Sequence, residues 1–253
     1  MRLKLEASTV THRGQVRENN EDALCERPDA GLWAVADGMG GHANGDWASS
    51  QIARCLSEFP LPGDFDSACL RIADQIHAAN QTIYAEAQRR GVQMGSTIVV
   101  LHVAGNRFSV SWVGDSRGYL LRDGQLIQLT SDHSQVQELI DRGLLEPEEA
   151  KTHRMRHMLS RAIGVQDAVE VDIVVDQTEP GDVFLLCSDG LSGVLTDTEI
   201  GEVLRTLGPD QSTDRMLDMV LARGAPDNVS IVAIGIRECT EIPASAGTGG
   251  ANL

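Results

Sequence analysis

The order of apolar patterns along the chain predicts an α+β fold in which groups of strands and pairs of helices stack in layers. Three observations carry that reading. Short apolar runs cluster together and are joined by tight turns at Gly105-Asn106 and Asp123-Gly124, the second a strong two-residue hairpin signal. Apolar helical periodicity marks two paired stretches, 46–90 and 197–223, where apolar residues recur every three or four positions. Strand–helix alternation of the doubly wound kind is missing, as are the Rossmann phosphate loop and the P-loop lysine motif.

Taken in order, Met1 to Val10 alternate apolar and charged residues. They lack the apolar core of a secretory signal, so export is not expected. Gly31 to Asp37 is a short apolar run stopping at Asp-Gly, a strand that ends in a turn. Helices follow over Asp46 to Phe59 and Phe65 to Arg90, the second long enough to allow a break inside it. Strands return over Ser96 to Val103, Arg107 to Val113, Gly118 to Arg122 and Gln125 to Leu129. Tight turns between them require an antiparallel sheet. Ser134 to Arg161 is polar and helical, with a helix start at Glu146-Pro147-Glu148-Glu149, and reads as a surface flap over about 131–165. Strands then span Val169 to Val175 and Asp182 to Cys187. Helices over Asp197 to Leu207 and Thr213 to Arg223 and a last strand, Val229 to Ile236, close a single domain over 1–238. Residues 239–253 (from Cys239, mostly small and polar) are expected to be disordered.

The 253 residues carry 42% hydrophobic and 23% charged side chains, ordinary for a globular protein. A net charge of −16, from 37 Asp and Glu against 21 Lys and Arg, speaks against nucleic acid and anionic membrane as partners. No apolar run approaches the length of a membrane span. Five dispersed cysteines without a C-x-x-C pair read as reduced thiols of a cytoplasmic protein rather than a disulfide framework or a zinc site.

Four segments share one layout, an apolar run with Asp at its end and a turn residue beside it: AVADGMGGH (34–42), WVGDSR (112–117), LLCSDGL (185–191) and APDNVS (225–230), the last preceding its strand. Each Asp-Gly alone is more often a turn than a ligand. Several carboxylates converging on one point, however, repel one another unless a cation neutralises them. Oxygen donors without a His or Cys cluster favour a hard cation such as Mg²⁺. Asp37, Asp189 and Asp227 are the first-choice ligands. Two cations roughly 3.5–4 Å apart can activate a water for in-line attack on phosphorus. In GQVRENNED (14–22), Arg17 offers a planar fork suited to two phosphate oxygens, and Glu21 and Asp22 are candidates to hold metal-bound water.

The ordered set GxVRxxNED, ADGMGGH, GDSR, SDGL and a DN pair before the last strand resembles the bacterial metal-dependent Ser/Thr phosphatases of type 2C, over roughly Thr11 to Ile236. The resemblance implies a four-layer αββα sandwich, two packed antiparallel sheets flanked by helix pairs, with a helical flap. It implies two or three Mg²⁺ or Mn²⁺ ions. Asp37 bridges two of them, Gly38 ligates through its carbonyl oxygen, Asp189 and Asp227 complete the pair, and Asp115 holds a third. Glu21 and Asp22 hold metal-bound waters, and Asn228 supports Asp227. Arg17 binds the substrate phosphate. Eukaryotic relatives carry His directly after the Asp-Gly as proposed general acid. Here that place is Met39, and His42 stands three residues on, with a pKa range suited to protonating a leaving alkoxide. The implied substrates are phosphorylated proteins, targets of a bacterial Ser/Thr kinase and the kinase itself, with a monomer as the default state. Two alternatives stay open: a catalytically weak phosphoprotein-binding regulator, and another two-metal phosphoester hydrolase.

Overall fold

The computed structural model describes residues 3–41, 43–150 and 152–238, and every structural statement below concerns these residues. The expectations for His42 and for a disordered tail over 239–253 lie outside them.

Two antiparallel sheets form the centre. One runs, in spatial order, β1 (Leu3–His12), β11 (Val229–Glu238), β10 (Val183–Cys187), β7 (Arg117–Arg122) and β8 (Gln125–Gln128). The other runs β2 (Asp22–Arg27), β3 (Leu32–Met39), β5 (Ile98–Ala104), β6 (Arg107–Val113) and β9 (Asp172–Gln177), with the two-residue β4 (Gly95–Ser96) paired to the end of β3. Helices α1 (Ala43–Glu58) and α2 (Phe65–Arg90) pack on the second sheet. Two short helices, α3 (Gln135–Asp141) and α4 (Pro147–Ala150), lie in the segment between β8 and β9, and α5 (Asp189–Ser192) follows β10. Helices α6 (Asp197–Leu207) and α7 (Pro209–Ala222) pack on the first sheet.

Four layers need three apolar interfaces, and the strands supply them by alternation. Along β10, Phe184 and Leu186 face the space between the sheets while Leu185 and Cys187 face the α6–α7 layer. On β3, Trp33 and Val35 point between the sheets, and the small Ala34 and Ala36 point at α1 and α2. Because both faces are buried, these strands read in sequence as continuous apolar runs. Phe108 and Phe184 meet edge to face across the gap, with ring centroids 4.7 Å apart. Each fully buried large side chain contributes roughly 1.5–3 kcal/mol.

Helix α2 runs unbroken for 26 residues, where the sequence allowed a break. Its interior has no Gly or Pro, and buried residues recur from Ala68 to Ala87 without a gap. Asp64 caps its start by accepting from the Ser67 amide at 2.9 Å. The flap is less helical than its composition predicts. Only α3 and α4 form, because residues such as Leu144, 69% exposed, have no neighbouring layer to bury against. Strand β9 begins at Asp172 rather than Val169. Val169 and Val171 instead pack onto the α1–α2 layer from an unpaired segment.

That segment is tied down by Asn80, buried on α2. Its side-chain oxygen accepts from the Gly164 amide at 2.7 Å, and its nitrogen donates to the Gln166 and Asp167 carbonyls at 3.0 and 3.2 Å. Asn80→Ala strands the buried Gly164 amide, worth about 1–3 kcal/mol, and releases the carbonyls of the exposed Gln166 and Asp167 to water. We expect a loss of about 1–3 kcal/mol in urea denaturation. A loss below about 0.5 kcal/mol contradicts this anchoring role.

Candidate metal centre

Strand register decides which carboxylates meet. Cys187 of β10 is opposite Arg117 of β7 and Ile231 of β11. Asp115 lies two residues before Arg117, Asp189 two after Cys187 and Asp227 four before Ile231, so all three emerge at one end of the first sheet. In the second sheet Asp22 is paired directly with Asp37. Like charges in directly opposed positions are destabilising on their own. Asp37 sits inside β3 and not at its end as the sequence suggested, because β4 prolongs the pairing to Met39. Asp189 likewise opens α5 rather than ending a strand.

The backbone around Asp37 is held firmly. Its carbonyl accepts from the Thr97 amide and the Ser96 hydroxyl, both at 2.8 Å, and its amide donates to the Thr97 hydroxyl at 3.2 Å. Gly38 is pinched between two chain segments. A Cβ there would lie 2.2 Å from the Gly45 carbonyl oxygen and 2.6 Å from that of Glu21, so no larger residue fits. A Cβ on Gly45 would in turn strike a Glu21 carboxylate oxygen, which places that carboxylate against the first turn of α1.

The electrostatics follow from the crowding. Burial, then the charges of Asp22, Asp189, Asp115 and Asp227, hold the Asp37 carboxyl well above the usual range. Burial pushes Asp22 up to about 7, against the opposing pull of the Ser230 and Ser188 hydroxyls. Asp115 also rises to about 7, from burial and then from Asp189 and Asp132. Asp189 is raised by burial and by Asp227, and pulled back by His157 of the flap, by hydrogen bonding with Asp37 and by Arg17. Five carboxylates therefore sense one another, although they come from distant parts of the chain.

Arg17 does not wait with an open fork. Its Nε and Nη2 donate to the two oxygens of Asp227 at 2.9 and 2.7 Å. The loop that carries it crosses under the 225–227 turn through Gly14, whose φ of +77° suits glycine and where a Cβ would lie 2.2 Å from the Asp227 carbonyl oxygen. Asn228 locks the crossing. Its side chain accepts from the Glu21 amide at 2.8 Å and donates to the Arg13 and Asn19 carbonyls, each at 2.9 Å.

An open cleft of about 1340 Å³ runs from Arg17, Asp37, Asp115, Asp189 and Asp227 along the flap to Glu170. The flap is fastened beside Asp115. The His133 amide donates to the Gly114 carbonyl at 2.9 Å, and the Gly114 amide donates to His133 Nδ1 at 3.0 Å. His133 Nε2 therefore carries the ring proton and donates to Asp172 at 3.1 Å, while Arg161, at the flap's return, holds the other Asp172 oxygen at 2.9 Å. From the sequence, His133 and Ser134 read as either anchors of the flap base or an ordinary helix cap, with the cap favoured; Ser134 is the cap of α3 and His133 is the anchor. Sequence reasoning missed Ser188, whose hydroxyl donates to Asp22 at 2.9 Å, although Ser188 lies inside the SDGL segment. His157 carried no motif that could have singled it out.

The donor set fits divalent cations. One buried oxygen of Asp22, Oδ1, has no hydrogen-bond partner, an uncompensated cost in a protein interior. Among the described residues no three His, Cys, Asp or Glu side chains clench on a single point. Asp37, Asp115, Asp189 and Asp227 line one cleft, and oxygen donors spaced more widely suit Mg²⁺ or Mn²⁺, which keep several water ligands. Asp37, Asp189 and Asp227 could each contribute an oxygen, with Asp115 beside them and the Gly38 carbonyl on the same strand as Asp37. If the carboxylates repel one another without cations, removing one stabilises the metal-free protein. Asp37→Asn should melt at a higher temperature than the unaltered chain in chelator and lose the rise caused by Mn²⁺. A lower melting temperature in chelator combined with an intact Mn²⁺ response would contradict this.

The comparisons with known proteins agree with the geometry. The Protein phosphatase 2C family model matches residues 7–229. The chain is 38% identical over 236 residues to the serine/threonine protein phosphatase PstP of Mycobacterium tuberculosis, covering 92% of this chain and 45% of that protein. It thus spans about half the length of that relative. Among solved structures it is similar to PppA, described as a key regulatory component of T6SS in Pseudomonas aeruginosa (39% identity, TM-score 0.86, 92% of this chain and 97% of that one). It is also similar to the catalytic domain of PstP in complex with two manganese ions (36% identity, TM-score 0.83, 94% and 100%). No described helix is long and apolar enough to cross a membrane. With a family match over most of its length and these relatives at more than 35% identity, the chain belongs to the protein phosphatase 2C family.

Proposed function

We propose that the chain hydrolyses phosphoserine and phosphothreonine in phosphorylated proteins, using two divalent cations, Mg²⁺ or Mn²⁺. The observation that carries this is the meeting of Asp37, Asp115, Asp189 and Asp227 in one open cleft with Asp22 paired to Asp37 behind it, where burial and neighbouring carboxylates hold Asp22, Asp37, Asp115 and Asp189 above the usual range. When bound, the cations supply Lewis acidity and an activated water for direct displacement at phosphorus, without a phosphoenzyme.

The chain's own residues do the rest. Asp37 would be shared between the two cations, with Asp189, Asp227 and the Gly38 carbonyl as the further ligands and Asp115 as the ligand of a third. Asp22 and Glu21 would accept hydrogen bonds from water held there, and Ser188 fixes one Asp22 oxygen. Arg17 orients the phosphate. Its guanidinium already binds two carboxylate oxygens in parallel, the same fork geometry that two phosphate oxygens require. Asn228 keeps the Arg17 loop in register with Asp227. His42 is the candidate donor of a proton to the departing serine or threonine oxygen. The manganese complex of PstP and the naming of relatives as serine/threonine phosphatases support this reading. The phosphorylated products of a bacterial Ser/Thr kinase are the proposed substrates.

The test is turnover of a phosphothreonine peptide with Mn²⁺, with and without chelator, beside a phosphodiester. We expect the peptide to be hydrolysed, chelator to stop it and the diester to be poor. Asp37→Ala and Asp189→Ala should each lower kcat/KM by about a thousandfold or more, the scale of several kcal/mol of charge stabilisation. Arg17→Ala should lose about 10–150-fold, the worth of a charge-assisted hydrogen bond. Undiminished turnover in folded Asp37→Ala and Asp189→Ala would end the proposal. Binding of phosphopeptide without turnover would instead favour the regulator.

A further inference from the structure

Beside the acidic cleft lies a second recess of about 380 Å³ with a different chemistry. Its walls are Met39, Ala87, Val92, Met94 and Val165, with Gln88 and Gln93 at the side and the backbone of Gly40 and Gly164, and no charged side chain lines it. Met39, Gly40 and Val165 also line the cleft, so these three residues form a low ridge that both spaces share. The two ridge side chains converge. A Cβ built on Gly95 would lie 2.8 Å from Met39 Cε and 3.1 Å from Val165 Cγ2, which makes Gly95 the floor beneath them. Met94 is buried at the back, while Val92 and Val165 stand 38% and 51% exposed at the mouth. In a chain of net charge −16, this uncharged recess stands out beside a cleft lined by four aspartates.

We propose that the recess is a substrate subsite, taking an apolar side chain (leucine, methionine or phenylalanine) that flanks the phosphorylated residue of the same polypeptide. The inference rests on the phosphatase reading above and adds a specificity to it. Continuity identifies the occupant, since the ridge is common to the recess and to the cleft that would hold the phosphoresidue. Spacing limits where it sits. Asp37 and Met39 are two residues apart on one strand, about 7 Å, and both line the cleft. An extended peptide covers at most about 3.3–3.6 Å per residue, so the apolar residue lies at least two positions from the phosphorylated one, and an extended chain reaches the ridge at its second or third. A phosphopeptide therefore makes two chemically distinct contacts at this site, charge at Arg17 and the aspartates and apolar burial past Met39. The strand position occupied by Met39 is where the resemblance places a histidine in eukaryotic relatives, and the subsite gives this methionine a role.

The experiment measures kcat/KM with Mn²⁺ for phosphothreonine peptides carrying Leu, Ser, Asp or Lys at each of three positions on either side. It compares the unaltered chain with Val92→Asp and Val165→Ser, two substitutions at exposed rim positions. We expect Leu to exceed Ser and Asp by at least about tenfold at one position, the scale of apolar discrimination in a pocket. That preference should be lost in both variants, and Val92→Asp should come to prefer Lys at the same position. A spread below about threefold at every position overturns the subsite while leaving the phosphatase reading intact. A Leu preference that persists unchanged in both variants overturns it too. Failure of the unaltered chain to hydrolyse any of the peptides overturns the phosphatase reading itself, and the subsite with it.

Discussion

Asp22 and Asp37 stand directly opposite one another across β2 and β3, and the end of the other sheet adds Asp115, Asp189 and Asp227 to the same space. Burial makes Asp22, Asp37 and Asp115 harder to ionise, and the charges of neighbouring carboxylates add to the effect. A fold seldom tolerates such repulsion without compensation, because an uncompensated buried charge costs several kcal/mol. The rest of the structure around the cleft is arranged to maintain that crowding. Thr97 and Ser96 fix the Asp37 backbone, Ser188 holds Asp22, Arg17 pairs with Asp227, and Gly38 and Gly14 let chain segments approach closely enough for the group to form at all. The divalent cations of the proposed function would resolve the repulsion that this scaffold sustains.

Two sheets are needed to do this, and that explains the layered architecture in functional terms. Asp22 and Asp37 belong to one sheet, while Asp115, Asp189 and Asp227 lie next to strands of the other. The apolar filling between the sheets, including the Phe108–Phe184 contact, thus sets the separation of the two sets of carboxylates. Close packing makes that separation stiff. The flap is fastened at its two roots, by Arg117 to Asp132 and Gly114 with His133 at one and by Ser96 with the buried Ile163 and Arg161 with Asp172 at the other. Between the roots its short helices bury little. The rigid part of the molecule holds charge, and the part held at its roots borders the cleft where a polypeptide would lie.

Much of this was legible in the sequence, for identifiable reasons. The strand runs were visible because both sheet faces are buried, and the hairpin at Asp123-Gly124 because its turn demands those residue types. The aspartates were visible because they share one local layout. What stayed hidden depends on register and on side-chain pairing at long range. Nothing local says that β4 extends the pairing of β3 past Asp37, that Arg17 is already engaged by Asp227, or that Val169 and Val171 pack without a partner strand. His133 could not be told apart as flap anchor or helix cap because its partners, Gly114 and Asp172, lie 19 and 39 residues away. The flap was overcalled as helix because polar helix-forming residues carry propensity without a surface to bury.

The account stands on cations binding where the five carboxylates converge. The most direct measurement is anomalous X-ray scattering from crystals of this chain soaked in Mn²⁺. Two peaks in the space between Asp37, Asp189 and Asp227, each at about 2.0–2.2 Å from a carboxylate oxygen, are the predicted result. Full Mn²⁺ occupancy elsewhere on the surface with none in that space would contradict it.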